Sequence, residues 1–326
     1  MTKIGIIGCG KIANSHINAL LQMSDVKISA VCDVNKARCD EFAKKADATP
    51  YTSYEKMLDT EDLQLAIICL PPAFHLECTE LCALKGVNVF VEKPMAITTN
   101  DCEKMIDICN KNGVMLWVGH MQRYSPENWI AKELIDSGKY GKLLAISEVR
   151  TCAYPGPASP AWLMDRKISG GGIMYNFGAH TLDMVKYLSG SKVVEAESSI
   201  SFSNWDSEDA ASGFLKLQNG VAVTFNLMGR CNVNRYEIVL YLSDGEIRIK
   251  PRKSIVACGR DGVFAKIPNG ADNEYNWQYL QLRDVMDSLK SGVAKVDGEY
   301  GLEVIGSIEK LYSSSGRNQT EKEKKI

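Results

Sequence analysis

An apolar run, Lys3–Ile7, passes directly into Gly8-Cys9-Gly10-Lys11-Ile12-Ala13, and a helical pattern follows through Leu21. Few folds admit that order. Gly8 permits a tight turn, Gly10 lets the backbone approach a pyrophosphate, and small Ala13 lets the helix pack on the strand with its N-terminus toward the phosphates. A second apolar run, Lys27–Cys32, ends in Asp33, about 20 residues further on, the position from which a carboxylate takes ribose hydroxyls. The sequence therefore predicts a βαβ unit that holds a dinucleotide on Gly8, Gly10, Lys11, Ile12 and Asp33. A carboxylate there accepts hydrogen bonds from NAD and repels the additional phosphate of NADP. NAD is the expected cofactor, while nearby Lys36 and Arg38 leave NADP open.

Three more apolar runs, Leu65–Leu70, Val87–Val91 and Val114–Val118, alternate with helical patterns, which argues for an α/β fold with a doubly wound parallel sheet. In open sheets of this kind the C-terminal strand ends form the ligand edge. That edge collects Leu70 and Pro71, with His75 opening the next helix, and Glu92-Lys93-Pro94 directly after Val91. Desolvation on such a lip favours the neutral amine of Lys93 and suits it to a substrate hydroxyl.

At 326 residues the chain has room for two cores, and its net charge of −2 offers no broad basic field to nucleic acid. No run approaches the roughly 18 apolar residues of a membrane span, and the apolar start is already used by the first strand, so neither an anchor nor a signal peptide is expected. The 11 cysteines, several inside apolar strands and none in a CxxC pair, read as reduced thiols of a cytoplasmic protein. No histidine and cysteine cluster completes a metal site, so no metal is expected. The sequon Asn318-Gln319-Thr320 carries no meaning in that compartment, and polar Gly316–Ile326 reads as a frayed or surface-lying tail.

From Leu143 the period changes to two. Leu143–Arg150, Val193–Phe202, Ala210–Gln218, Val221–Met228, Tyr236–Leu242 and Glu246–Lys250 alternate like antiparallel strands, with Asn219-Gly220 and Asp244-Gly245 as two-residue turns. Val221–Met228 sets Val223, Phe225 and Leu227 on one face against Thr224 and Asn226 on the other, a mixed face suited to a second subunit. Helical spacing returns around Tyr279–Leu289 and Tyr300–Ser313.

A helix expected over Asn176–Leu188 follows Gly170-Gly171-Gly172 and carries Asn176, His180 and Asp183, four and three residues apart and so on one stripe. A carboxylate one turn from a histidine orients it and keeps it basic, so His180 can take a proton near neutral pH. The segment Tyr154–Asp165, with Tyr154, Trp162 and Asp165 among prolines, reads as a loop offering an aromatic face and a few polar bonds to a ligand, and equally as a packing device.

Taken in order, the Gly8–His16 opening, Asp33, Pro71-Pro72 to His75, Glu92-Lys93-Pro94, Gly119–Pro126 with Arg123, Trp162–Asp165 and Gly170–Asp183 cover nearly the whole chain. In this pattern the sequence resembles the glucose-fructose oxidoreductase, inositol dehydrogenase and rhizopine-catabolism (Gfo/Idh/MocA) family. The resemblance implies an NAD(P)-binding Rossmann domain over residues 1–122. It implies a C-terminal α+β domain over 123–326, with a large open, mostly antiparallel sheet, that binds substrate and forms a homodimer or homotetramer. It also implies that Lys93 binds the reacting hydroxyl and supports the cofactor, that His180 accepts the proton, and that Arg123 and Trp162 lie near cofactor and substrate. Many relatives carry Asp where this chain has Asn176, which cannot hold a charge; Asp183 is then the residue left to orient His180.

The reaction so implied is transfer of a hydride between the nicotinamide and a secondary ring hydroxyl of a sugar, glycoside or inositol. Two alternatives share the fold: transient use of NAD around an elimination, and a non-catalytic nucleotide- or sugar-binding regulator. No arginine cluster suggests a sugar nucleotide, and Asn176 tips the choice toward a pyranose over an inositol.

Overall fold

The computed structural model describes residues 1–156, 159–203, 205–268 and 277–316. The Asn318–Thr320 sequon and the tail beyond Gly316 lie outside the described residues. The chain divides into two compact units, Met1–Met121 with Asn276–Leu302, and Gln122–Tyr275 with Glu303–Ile326.

In the first unit, strands β1 (Thr2–Ile7), β2 (Val26–Cys32), β3 (Thr49–Tyr51), β4 (Leu65–Ile68), β5 (Asn88–Glu92) and β6 (Leu116–Gly119) form one sheet in the order β3-β2-β1-β4-β5-β6. Every pairing in it is parallel. Between the strands run α1 (Lys11–Leu20), α2 (Lys36–Ala46), α3 (Tyr54–Thr60), α4 (His75–Leu84) and α5 (Thr99–Lys111). Apolar residues fill the face of the sheet that packs on α1: Ile4, Ile6, Leu65, Ile67 and Phe90 are wholly buried there, as is Ile17 of α1. Each such side chain contributes about 1.5–3 kcal/mol. The edge strand β3 is absent from the sequence reading because it is three residues long and contains Pro50, which an edge tolerates since one side needs no donor. A late helix, Trp277–Ser291, packs on α1, and Arg283 clamps Asp25 with two bonds of 2.8 and 2.9 Å.

The second unit is built on an eight-stranded sheet of β7 (Leu143–Ala153), β8 (Val193–Ser201), β9 (Ala210–Leu217), β10 (Ala222–Met228), β11 (Arg230–Leu242), β12 (Gly245–Lys250), β13 (Ser254–Cys258) and β14 (Ala265–Ile267). The order is β14-β13-β12-β11-β7-β10-β9-β8, and all neighbours are antiparallel except β7 and β10. Helices α6 (Pro126–Asp136), α7 (Arg166–Ser169) and α8 (Ala179–Ser189) belong to the same unit. On β10 Val223, Phe225 and Leu227 are buried while Thr224 and Asn226 are exposed, as the alternation requires.

Both turns differ from expectation by one residue. Leu242 pairs with Gly245, so Ser243 and Asp244 make the tight turn. Between β9 and β10, Leu217 donates to the Val221 carbonyl, leaving the three-residue loop Gln218-Asn219-Gly220. Gly220 has φ +87°, the left-handed residue that closes such a loop.

Candidate active site

Strand polarity brings Gly8, Asp33, Leu70, Pro71 and Lys93 to one sheet edge of the first unit, because each follows the C-terminal end of its own parallel strand. The order reverses between β1 and β4: just past the end of β1, Gly8 donates to the Cys32 carbonyl of β2 at 2.8 Å, and on the other side Cys69, after β4, donates to the Ile7 carbonyl at 2.7 Å. This is the switch point at which open sheets bind ligands.

Gly8 has φ +93°, and a Cβ there would lie 2.8 Å from the carbonyl oxygen of Cys69, so both conformation and space demand glycine. Gly10 is different. A Cβ at Gly10 would meet nothing within 4 Å, so the space over the N-terminus of α1 is open. Helices α2, α3 and α5 have their first N–H groups capped by Asn35, Ser53 and Thr98, whereas α1 starts after Gly10 with no side-chain cap. Its first-turn donors, including those of exposed Lys11 and half-buried Ile12, are thereby left for an anion. Asp33 ties the turn together: one carboxylate oxygen accepts from Cys9 N at 2.8 Å and the other from Asn35 N at 2.8 Å. A carboxylate has about four acceptor positions, which leaves capacity for ribose hydroxyls. Arg38 stands with its Nε 3.7 Å from the same carboxylate. Loop, uncapped helix and carboxylate together fit a nicotinamide dinucleotide.

His75 and Glu92 shape the lip on which Lys93 sits. The His75 ring is wholly buried between the turn after β4 and the turn after β5, with Nε2 2.8 Å from the Leu70 carbonyl and Nδ1 3.1 Å from those of Pro94 and Met95; in its neutral form it donates to one side only. Burial holds its pKa below the ordinary range. Glu92 bonds His16 Nε2 at 2.7 Å through one oxygen and Lys93 N at 3.1 Å through the other. A Cβ on Gly119 would come to 3.1 Å of that carboxylate, so the neighbouring strand supplies the room.

In the second unit the helix runs unbroken from Ile173, three residues earlier than the sequence pattern indicates, and its first part is a π turn over Met174–Gly178. Ala179 N–H bonds the Met174 carbonyl five residues back. The wider turn lies between Asn176 and His180 and alters the phase there from that of a plain α-helix; π turns of this kind recur at functional sites. Asn176 is half-buried, His180 is 6 % exposed and Asp183 is wholly buried. Asp183 pairs with Arg123, whose guanidinium lies 5.0 Å from the ring of Tyr187.

Tyr154 does not offer its ring to solvent. It is 7 % exposed and packs edge-on against Phe177 at 5.7 Å, held by its own N–H to the Gly229 carbonyl at 2.7 Å. Burial raises its hydroxyl pKa, with the charge of Glu208 adding and the amide of Asn176 opposing. Asp165 caps α7, accepting from Lys167 N at 2.9 Å, and Trp162 is half-buried on the preceding turn.

Residues 2–120 match the model of the oxidoreductase family with an NAD-binding Rossmann fold, and residues 129–248 match that of the Gfo/Idh/MocA C-terminal domain. The chain belongs to the Gfo/Idh/MocA family. Within that family it is 30 % identical over 249 residues to 1-carboxy-3-chloro-3,4-dihydroxycyclo hexa-1,5-diene dehydrogenase of Comamonas testosteroni, covering 74 % of this chain and 62 % of that protein. It is 32 % identical over 148 residues to inositol 2-dehydrogenase of Salmonella typhimurium, covering 44 % of each. These matches span about half to three-fifths of the relatives' lengths. The fold matches that of aldose-aldose oxidoreductase from Caulobacter crescentus, complexed with glycerol, at a TM-score of 0.87, 23 % identity and 97 % coverage of both chains.

Several buried polar residues of this Gfo/Idh/MocA chain escaped the sequence reading. On β7, Glu148 accepts from Arg150 Nε at 2.6 Å and from the hydroxyl of Thr181, next to His180, at 2.8 Å. Arg150 also bonds Gln122 at 2.7 Å and stacks 3.6 Å over the Tyr236 ring. The alternation Ile146, Glu148, Arg150 was the available signal, since it sets both charges on the apolar face of the strand. Glu208, in the acidic run between β8 and β9, is likewise wholly buried.

Proposed function

We propose that the chain oxidises a secondary ring hydroxyl of a sugar, glycoside or inositol, delivering the hydride to NAD. The observation that carries this reading is a Lys93 lip built by Glu92 and His75 on the NAD-binding edge, in a chain that also holds a buried histidine on a π-turned helix. NAD, when bound, supplies the hydride acceptor. His180 takes the hydroxyl proton, Lys93 stabilises the developing alkoxide, and Asn176 and Trp162 hold the ring. Arg123 acts through Asp183, which it keeps paired. The relatives' names, one a dehydrogenase of a cyclic diol and one of inositol, support a ring hydroxyl as the reacting group. With Asn176 in place of a carboxylate, we favour a pyranose.

The outer face of the second unit's sheet would meet a second copy. Phe214 pairs across from Thr224 and Tyr241 lies on the same face, 40 % and 43 % exposed. Eight of the 11 cysteines are buried, as small apolar residues of the cores, which suits a cytoplasmic setting. Among the described residues no helix is long and apolar enough to cross a membrane.

The test is NADH formation with NAD and a panel of pyranoses, glycosides and inositols. Lys93→Ala and His180→Ala should each lower turnover at least about 10²-fold with NAD binding nearly intact. Activity confined to acyclic hydroxy acids or aldehydes would overturn the substrate class, and product without accumulated NADH would indicate transient oxidation.

A further inference from the structure

The helix carrying Asn176 and His180 begins without a capping side chain of its own. Its orphan donors converge instead on one distant residue. Glu208 Oε1 accepts from Gly172 N at 2.8 Å and from Met174 N at 3.0 Å, and the Glu208 carbonyl accepts from Ile173 N at 2.9 Å. Three consecutive N–H groups at the helix start are thus satisfied by a single wholly buried glutamate. The contact is close enough to dictate the sequence opposite it. A Cβ on Gly172 would lie 1.9 Å from the Glu208 carbonyl oxygen, and one on Gly171 would lie 2.3 Å from the Tyr312 hydroxyl and 3.3 Å from Glu208 Oε1.

Glu208 is itself fixed from behind. Asp209 N–H bonds the Ser201 carbonyl at 3.1 Å, Gly229 N–H bonds the Asp209 carbonyl at 2.7 Å, and Arg230 holds the Asp209 carboxylate at 2.7 and 2.9 Å. The sheet is in this way connected through Glu208 to the first turn of the helix. From there the π turn sets the phase of Asn176 and His180, so a change at residues 172–174 moves both.

We propose that Glu208 is a positioning residue for the chemical step: its carboxylate oxygen sets the start and rotation of the helix that presents Asn176 and His180. The proposal rests on the assignment of His180 as the proton acceptor. It concerns an acceptor oxygen at a fixed place, not a charge. Glutamine keeps that oxygen in reach of Gly172 N and Met174 N, whereas aspartate keeps the charge and falls short by one methylene.

The experiment compares Glu208→Gln, Glu208→Asp, Glu208→Ala and His180→Ala, each assayed with NAD and the best substrate well below its own unfolding temperature, with NADH binding followed by fluorescence. Expected are turnover within about threefold of wild type for Glu208→Gln and a loss on the order of 10²-fold for Glu208→Asp, the effect of misplacing a catalytic group. NADH affinity should stay within about twofold throughout. Rescue by Gln and not by Asp is a pattern that a general loss of stability would not produce, and it survives if Glu208→Ala fails to fold. Full activity in Glu208→Asp, or a large loss in Glu208→Gln, would overturn the proposal. If His180→Ala kept its turnover, the base assignment would fail, whatever the Glu208 variants did.

Discussion

His16 Nε2 stands 2.7 Å from a carboxylate oxygen of Glu92, and His16 has no exposed side-chain surface. Glu92 is the residue whose other oxygen holds Lys93 N–H, so a histidine on the first helix supports the lip after the fifth strand. Burial alone would raise the Glu92 pKa. The His16 hydrogen bond, with the charge and N–H of Lys93, outweighs burial and holds it below the ordinary carboxylate range.

That depressed value fixes the sign of a pH effect. Its stabilisation is present above the unfolded carboxylate pKa, about 4.3, and is lost as pH falls through the lower folded value. His16→Ala leaves the buried carboxylate without its partner and should destabilise the protein by about 3–5 kcal/mol at pH 7 in urea unfolding. The difference from wild type should shrink below about pH 4. A difference independent of pH would mean that the lost packing of the ring against Phe90, at 5.4 Å, dominates.

Gly10→Ala separates cofactor binding from folding. The added methyl meets no atom within 4 Å, and Gly10 has φ −86°, which alanine adopts freely. Thermal unfolding without cofactor should shift by no more than about 2 °C, since surface substitutions stay within about 0.5 kcal/mol. NAD affinity, read by calorimetry, should fall at least about tenfold. Gly8→Ala, strained by its φ of +93° and by the Cys69 backbone, should lose both.

The first unit was legible because its signals are local. Gly8, Asp33 and Lys93 each sit at the end of an apolar strand, and parallel topology carries them to one edge without further information. The second unit was legible as strands, but the buried polar contacts around Asn176 and His180 were not. Spacing names Asp183 as a partner for His180 but gives no hint of its ion pair with Arg123, 60 residues away in sequence. The π turn at Met174–Gly178 alters a phase that residue counting assumes constant. Glu208 lies in Ser207-Glu208-Asp209, between two alternating runs where no period assigns it a face, and only tertiary packing shows that Oε1 belongs to a helix in front of it.

Asp33 bears on cofactor choice through its neighbour. With the carboxylate present, Arg38 is drawn toward it and a ribose phosphate is repelled. Wild type should bind NAD more tightly than NADP. Asp33→Ser should narrow the ratio at least about tenfold, both by removing bonds to a charged acceptor, about 1.5–3 kcal/mol, and by releasing Arg38 to a phosphate. Competitive titration of the two cofactors decides it, and equal affinities in wild type would refute the role of Asp33.

Glu208 makes an opposite prediction about stability. Burial raises its pKa, only partly opposed by the Tyr312 hydroxyl and the N–H groups of Gly172 and Met174. With the folded value above the unfolded one, its contribution is fully present below the unfolded pKa and is lost as pH rises through the folded value. Glutamine keeps the acceptor oxygen and cannot ionise. Glu208→Gln should therefore unfold at a higher temperature than wild type at pH 8, and the two proteins should converge as pH falls below about 4. The same substitution should preserve turnover, so one variant would gain stability at a position whose aspartate counterpart loses activity. A Glu208→Gln protein less stable than wild type at pH 8 would show that the ionised carboxylate, facing the positive end of the helix, is worth more than its burial removes.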